Sequence, residues 1–278
     1  MPDLNRQRHL LAAACDIARN AGRAILDVYG RAAFAVARKS DDSPLTEADQ
    51  VAHGIITREL AELDDAIPIL SEESLPGEHA TRRTWSRYWL VDPLDGTKEF
   101  LKRNGEFTVN IALVEGQRAI LGAVLAPVLD RLYGGVVGLG AWRSDGGGEP
   151  HPIAVRSVAA SPLRVVGSRS HPSAELAAYL AGLPEHEITD MGSSLKICLV
   201  AEGAADVYPR LGPTSEWDTA AAQAILESAG GRMIDVAGRP LRYNSKDDLL
   251  NPHFLAFGDQ RRDWLAPIQS SRGRQSRH

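Results

Sequence analysis

The sequence predicts a mixed α/β fold of two closely joined subdomains, the first centred on a largely antiparallel sheet. Three observations lead there. Two segments near the start carry apolar residues at helical spacing. Short strands at regular intervals follow from about residue 86. Beyond about residue 160, helical and strand patterns alternate.

Residues 4–29 place Leu10, Leu11, Ala14, Ile17, Ala18, Ala21, Ile25 and Val28 on one helical face, with Gly30 as the stop. Ser43-Pro44 breaks the chain before a second helix over 46–63, where Thr46 and Asp49 have capping-box spacing. A short strand, Ile69-Leu70, runs into Ser71-Glu72-Glu73-Ser74. Tyr88–Val91, Phe107–Val114, Ala119–Leu125 and Arg131–Val137 read as a meander. Gly138 to Gly148 is glycine-rich, with Gly146-Gly147-Gly148 read as a flexible turn, and prolines gather near 150–162. The expected subdomains are therefore 1–155 and 156–268, with 269–278 a frayed Ser/Arg-rich tail. In the second, Leu163–Gly167, Ile188–Met191, Ala205–Tyr208 and a closing Met233–Val236 are strands. Helices are expected over Ser173–Gly182, Ser193–Gly203 and Trp217–Gly230.

The 278 residues are ample for a large core, and 44% hydrophobic with 24% charged residues is ordinary globular composition. A formal charge of −5 argues against a nucleic-acid polymer as partner, which needs a broad basic face. Cys15 and Cys198 are too few for a disulfide framework and read as buried thiols in a reducing compartment. No apolar run approaches the ~18 residues of a membrane span, and Leu10–Cys15 after two arginines is too short for a signal segment. The expectation is a cytoplasmic protein.

The chemistry concentrates in Trp89-Leu90-Val91-Asp92-Pro93-Leu94-Asp95-Gly96-Thr97-Lys98-Glu99-Phe100. An apolar strand delivers two aspartates at its C-terminal end, with Pro93 expected to end the pairing. Both carboxylates and the Leu94 carbonyl can converge on hard cations. Gly96 permits a tight turn, and a helix starting at Thr97 presents free N–H groups to an anion. A lone D-x-x-D more often caps a turn, adjacent glutamates are usually just solvated, and Asp218 in Glu216-Trp217-Asp218-Thr219 could be an ordinary helix N-cap. Their recurrence at strand and helix ends favours a shared site. A G-x-x-x-x-G-K-[ST] loop, an H-E-x-x-H pair and paired C-x-x-C motifs are absent from the sequence.

Asp49, then Glu72-Glu73, then Asp92-Pro-Leu-Asp95-Gly-Thr97, then Trp217-Asp218 resembles the lithium-sensitive inositol monophosphatase superfamily over about residues 8–258. Within it, the chain most resembles the CysQ-type 3'(2'),5'-bisphosphate nucleotidases. That finer match is carried by Lys98-Glu99-Phe100, Arg103–Asn110, Gly192-Ser193-Ser194-Leu195-Lys196 and Tyr208-Pro209-Arg210. Ala222 departs from the family, whose helix has glycine there, and this bears on fine substrate fit.

The resemblance implies a layered α-β-α-β-α sandwich of the sugar/inositol phosphatase type with the metals at the subdomain junction. It implies two or three Mg²⁺ per site: one on Glu72, Asp92 and the Leu94 carbonyl, a second on Asp92, Asp95 and Asp218, and a weaker third near Glu73. Thr97 and Glu72 would orient the attacking water, with Asp49 hydrogen-bonded to Thr97. Lys196 and Arg210 would take a nucleotide 5'-phosphate, and Ser193, Ser194, Gly96, Thr97 and Asp218 would meet substrate. His171 also matches the group but receives no role. The implied substrate is a small phosphorylated nucleotide, adenosine 3',5'-bisphosphate, with its sulfated relative second. Inositol monophosphate or fructose 1,6-bisphosphate are the rival substrates, and a non-catalytic metal- or nucleotide-sensing regulator is the rival class. The resemblance is also compatible with a homodimer and with peripheral attachment at the inner membrane.

Overall fold

In the computed structural model, residues 4–33, 35–38, 44–74, 77, 80–168 and 173–269 are described. His171 and the tail from 270 onward lie outside them. Helix α1 (Leu4–Tyr29) buries the apolar stripe that its spacing predicts. A small antiparallel hairpin, β1 (Val36–Arg38) and β2 (Pro44–Thr46), leads into α2 (Glu47–Leu63). The capping box forms at α2: the Thr46 hydroxyl accepts from the Asp49 N–H, and the Thr46 N–H donates to Asp49 Oδ2 at 2.7 Å. No helix among the described residues is long and apolar enough to cross a membrane.

Strand β3 (Ile69–Ser71) lies parallel to β4 (Arg87–Asp95), after which comes the one-turn helix α3 (Thr97–Leu101). Strands β5 (Thr108–Glu115), β6 (Arg118–Ala126), β7 (Arg131–Val136), β8 (Gly140–Asp145) and β9 (His151–Ile153) continue antiparallel. The sheet of seven follows chain order from β3 to β9. One expectation changes here. Pairing of β4 does not stop at Pro93 but continues to Asp95, because the register against β5 shifts between Asp92↔Asn110 and Asp95↔Thr108. The irregularity absorbs a residue with no N–H to donate. The expected turn at Gly146 and Gly147, both with positive φ, closes β8, while Gly138 before the strand and Gly140 at its first residue also have positive φ.

The second half forms β10 (Leu163–Ser168), α4 (Ala174–Ala181), β11 (His186–Met191), α5 (Leu195–Ala201), β12 (Val207–Arg210), α6 (Ala220–Ser228), β13 (Arg232–Asp235) and β14 (Phe254–Phe257). Its sheet runs β11-β10-β12-β14-β13. The expected closing strand β13 is an edge, and β14, wholly buried, inserts between it and β12.

The layers are α1 and α2, the seven-stranded sheet, α5 and α6, the five-stranded sheet, and α4. Alternation along β4 shows why. Tyr88 and Leu90 face the central core with α5 and α6, whereas Trp89 and Val91 face α1 and α2. The central helix approaches the sheet closely: a Cβ on Gly122 would sit 2.0 Å from the Ala221 carbonyl oxygen. Both cysteines are buried and unpaired.

Candidate active site

Strand β4 ends where the two sheets face each other, and its last turn builds the acidic side of the site. Asp92 is buried, and its Oδ1 accepts from the Leu94 N–H at 3.0 Å. That bond holds the carboxylate against its own strand end. The parallel neighbour delivers Glu72 to the same place, with the Glu72 N–H donating to the Val91 carbonyl at 3.1 Å. His53 on α2 supports this loop through Ser71, Nδ1 to Oγ at 2.9 Å. From the other half of the chain comes Asp218. One carboxylate oxygen from each of Glu72, Asp92 and Asp218 lies within 4.8 Å of the other two.

Asp218 is not a helix cap. Helix α6 begins at Ala220, later than its pattern suggests, and Asp218 sits in the preceding turn. There its Oδ2 accepts from Thr214 Oγ1 at 2.6 Å and from the Ser215 N–H at 2.9 Å. The turn folds this way because Glu216, buried, accepts from the Asn244 N–H at 2.7 Å. Asn251 ties it further through the Ser215 carbonyl at 2.7 Å.

Asp95 stands beside this set, half-buried, and lines a pocket of about 260 Å³ together with Asp218. Gly96, Thr97, Ser193, Ser194, Lys196 and Arg210 also line it. Gly96 adopts φ 95°, the left-handed turn expected of it, and α3 starts directly after. Met191, Tyr208 and Phe254 give the pocket an apolar wall that the sequence reading missed.

The electrostatics follow from crowding. Burial pushes the Asp92 carboxyl well up, and the neighbouring charges of Glu72, Asp95 and Asp218 push it further. Burial and then Asp218 raise Asp95 to about 7, with Lys196 and the Ser194 N–H acting the other way. An all-oxygen set with this mutual repulsion suits a hard divalent cation, which replaces repulsion by attraction. The donors present therefore fit a metal, although no ion forms part of the structure. Burial lowers Lys196 to about 8, partly offset by Asp95. Its Nζ donates to the Ser193 carbonyl at 2.5 Å and lies over the Tyr208 ring.

Several expected partners differ. The bond from Asp49 to Thr97 is not found among the described residues. Asp49 Oδ2 is engaged by the N–H and hydroxyl of Thr46, while Thr97 Oγ1 reaches the Leu94 carbonyl at 3.5 Å. The capping box uses the carboxylate locally. Ser194 lines the pocket, but its hydroxyl donates to Asn110 Oδ1 at 2.8 Å and lies 2.9 Å from Thr108 Oγ1. These bonds join the two halves of the chain at the pocket's edge. Glu73 is outside the close carboxylate set, its N–H donating to Ser71 Oγ at 3.4 Å. Ala222 is buried in the central core and does not line the pocket.

A layered α/β sandwich with carboxylates from both halves meeting beside a pocket that Lys196 and Arg210 also line defines an acidic, cation-ready site for an anionic ligand. The sequence pattern of the inositol monophosphatase family matches residues 6–269, and the chain belongs to that family. It is 52% identical over 246 residues to the 3'(2'),5'-bisphosphate nucleotidase CysQ of Escherichia coli K12, covering 88% of this chain and 98% of that one. Over the same shares it is 53% identical to the CysQ of Salmonella typhimurium. The crystal structure of CysQ from Bacteroides thetaiotaomicron superposes with a TM-score of 0.82 at 44% identity, covering 93% of this chain and all of that one.

Proposed function

We propose that this chain is a Mg²⁺-dependent 3'(2'),5'-bisphosphate nucleotidase that hydrolyses adenosine 3',5'-bisphosphate to AMP and phosphate. The observation that carries this reading is the convergence of Glu72 and Asp92 with Asp218 beside a pocket that Lys196 and Arg210 also line. The names of its relatives supply the substrate class. In the reaction, a water oxygen bonds to the 3'-phosphorus, the bond from phosphorus to O3' breaks, and a proton ends on the 3'-hydroxyl.

Glu72, Asp92, Asp95, Asp218 and the Leu94 carbonyl would hold two Mg²⁺ ions, and Glu73 a third. Bound there, the cations supply positive charge against the transferring phosphoryl group and acidify nearby water. Thr97 and Glu72 orient the attacking water. The Lys196 ammonium and Arg210 guanidinium hold the 5'-phosphate away from the carboxylates, and the apolar wall of Met191, Tyr208 and Phe254 suits the base and ribose. The sulfated nucleotide analogue fits the same arrangement as a second substrate.

Phosphate release in Mg²⁺ from adenosine 3',5'-bisphosphate, its sulfated analogue, inositol 1-phosphate and fructose 1,6-bisphosphate tests the reading. We expect kcat/KM on the bisphosphate nucleotide to exceed that on inositol 1-phosphate by at least about a hundredfold. Equal or better turnover of the inositol ester would remove the substrate assignment and leave the chemistry. Stoichiometric nucleotide binding without turnover would make the chain a sensor instead.

A further inference from the structure

On the opposite end of α6 from Asp218 lies a second cleft, of about 390 Å³, lined by Arg118, Arg232, Arg242, Gln223, Glu227 and Gln260 among others. Its described charged residues are three arginines and one glutamate, in a chain whose net charge is −5. All three arginines are exposed. Arg118 contacts Glu227 loosely, Nη2 to Oε2 at 3.5 Å. The Gly230 carbonyl, at the end of the helix and unfavourable to an anion, is occupied by Gln260 Nε2 at 2.9 Å. Three arginines lining one cleft suit a tetrahedral oxyanion, which a guanidinium can meet with two N–H groups.

The cleft is joined to the candidate active site by a hydrogen-bond chain through buried groups. Gln223 Nε2 donates to Glu227 Oε1 at 2.7 Å. The Tyr243 hydroxyl donates to Gln223 Oε1 at 2.5 Å and lies 3.3 Å from Thr219 Oγ1. Thr219 in turn bonds to the Glu216 carbonyl at 3.2 Å and accepts from Asn251 Nδ2 at 3.0 Å. Thr219 is adjacent to Asp218 and lines the catalytic pocket. Gln223, Tyr243 and Thr219 are all buried, so a displaced partner cannot be replaced freely by water.

We propose that this cleft is a second binding site, for a small dianionic tetrahedral group such as sulfate or a phosphate monoester, and that its occupancy is relayed to the Asp218 turn. An anion on Arg118 competes with Glu227, and Glu227 is the far end of the chain that holds Thr219. The binding half stands without the nucleotidase reading. The relay half rests on Asp218 being a metal ligand. Both are measured without turnover.

A selenate soak of the whole chain should give an anomalous peak between Arg118, Arg232 and Arg242. Calorimetric titration with sulfate in metal-free buffer should lose at least about tenfold in affinity at this site in the Arg232→Gln/Arg242→Gln double variant. Both residues are on the surface and outside the catalytic pocket, so the variant should fold and keep its basal activity. Methyl phosphate titrated in parallel separates the sources: tighter binding than sulfate marks an esterified ligand, weaker binding the free anion. For the relay, sulfate should shift Mg²⁺ affinity by at least about fivefold in the wild-type protein. The shift should vanish in the double variant and in Tyr243→Phe, which keeps the ring and breaks the chain. No selenate peak in the cleft, or sulfate binding unchanged in the double variant, overturns the site. An identical sulfate effect on Mg²⁺ in all three proteins overturns the relay, placing that sulfate in the catalytic pocket.

Discussion

Glu72, Asp92, Asp95 and Asp218 form the acidic part of the candidate site and Lys196 and Arg210 its basic part, and the fold holds the two groups by different means. The acids Glu72, Asp92 and Asp95 come from the ends of β3 and β4, two neighbouring strands of the larger sheet; the Asp92 carboxylate accepts from the Leu94 N–H, and the Glu72 backbone N–H donates to the Val91 carbonyl. They repel one another, so rigid strand ends must keep them together. The cations sit on long side chains at the start of α5 and the end of β12. Lys196 donates to the Ser193 carbonyl and Arg210 to the Pro213 carbonyl. A carbonyl steadies a cation without cancelling its charge, whereas the acids are set up to be cancelled by something from outside. One side is thus built to recruit cations, and the other to offer charge directly to an anion.

The sharpest way to break this contrast is to remove one acid. Asp95→Asn keeps the size and loses a charged ligand, and we expect kcat/KM in saturating Mg²⁺ to fall by about a hundredfold or more. Its circular dichroism should match the wild type. Near-normal turnover would mean that the acidic side is not a metal site.

The repulsion also has a pH signature. Asp95 is raised from 3.8 to about 7, so between those values the folded chain binds a proton that the unfolded chain has released. Stability of the metal-free protein should therefore fall as pH rises through that window, since the unfolded state holds fewer protons there. Mg²⁺ should reverse the loss. At a hundredfold excess over Kd it contributes about 2.7 kcal/mol, roughly 5 °C or more in Tm. That increment should be larger at pH 8 than at pH 5. Thermal melts with and without Mg²⁺ at the two pH values check it, and an equal increment at both would show that the carboxylates are not coupled to the cation.

On the basic side the effect should be smaller and of a different kind. Lys196→Gln should raise KM for the bisphosphate nucleotide by about tenfold, the value of one charge-assisted bond to phosphate, with kcat changed by no more than about threefold. Because burial lowers Lys196 to about 8, wild-type kcat/KM should also decline above that pH as the ammonium loses its proton. The decline should be absent in the variant. A fall in kcat equal to that in kcat/KM would move Lys196 from substrate holding into the chemical step.

The same contrast governs what the sequence revealed. The acids were legible because Asp92 and Asp95 end an apolar strand and Thr46 and Asp49 carry a capping box, both local patterns. The supporting groups were not. Glu216 and Asn244 are 28 positions apart, and Ser194 and Asn110 are 84 apart. No spacing rule joins such pairs, and each looks like an ordinary polar residue until the sheets are stacked. Strands β8 and β14 were hidden for opposite reasons. The first is flanked by turn glycines, and the second is a four-residue buried run with no alternation to mark it. Asp49 was misassigned a partner because a resemblance transfers positions, while hydrogen-bond partners depend on local geometry.

Ala222 gives the smallest effect and tests the reach of the resemblance. The family glycine suggested a close approach by ligand or backbone at this position. Here the close approach belongs to the Ala221 carbonyl over Gly122, and the Ala222 methyl fills the core between the sheets. Ala222→Gly should then act as a packing and helix change only. It costs about 1 kcal/mol in helix propensity and about 0.8 kcal/mol for the buried methyl, a drop of a few degrees in Tm. Substrate is not touched, so kcat/KM should stay within about twofold. A severalfold gain on the bisphosphate nucleotide would show that the methyl shifts the Asp218 turn through the first turn of α6, and would tie specificity to the acidic side rather than to Lys196 and Arg210.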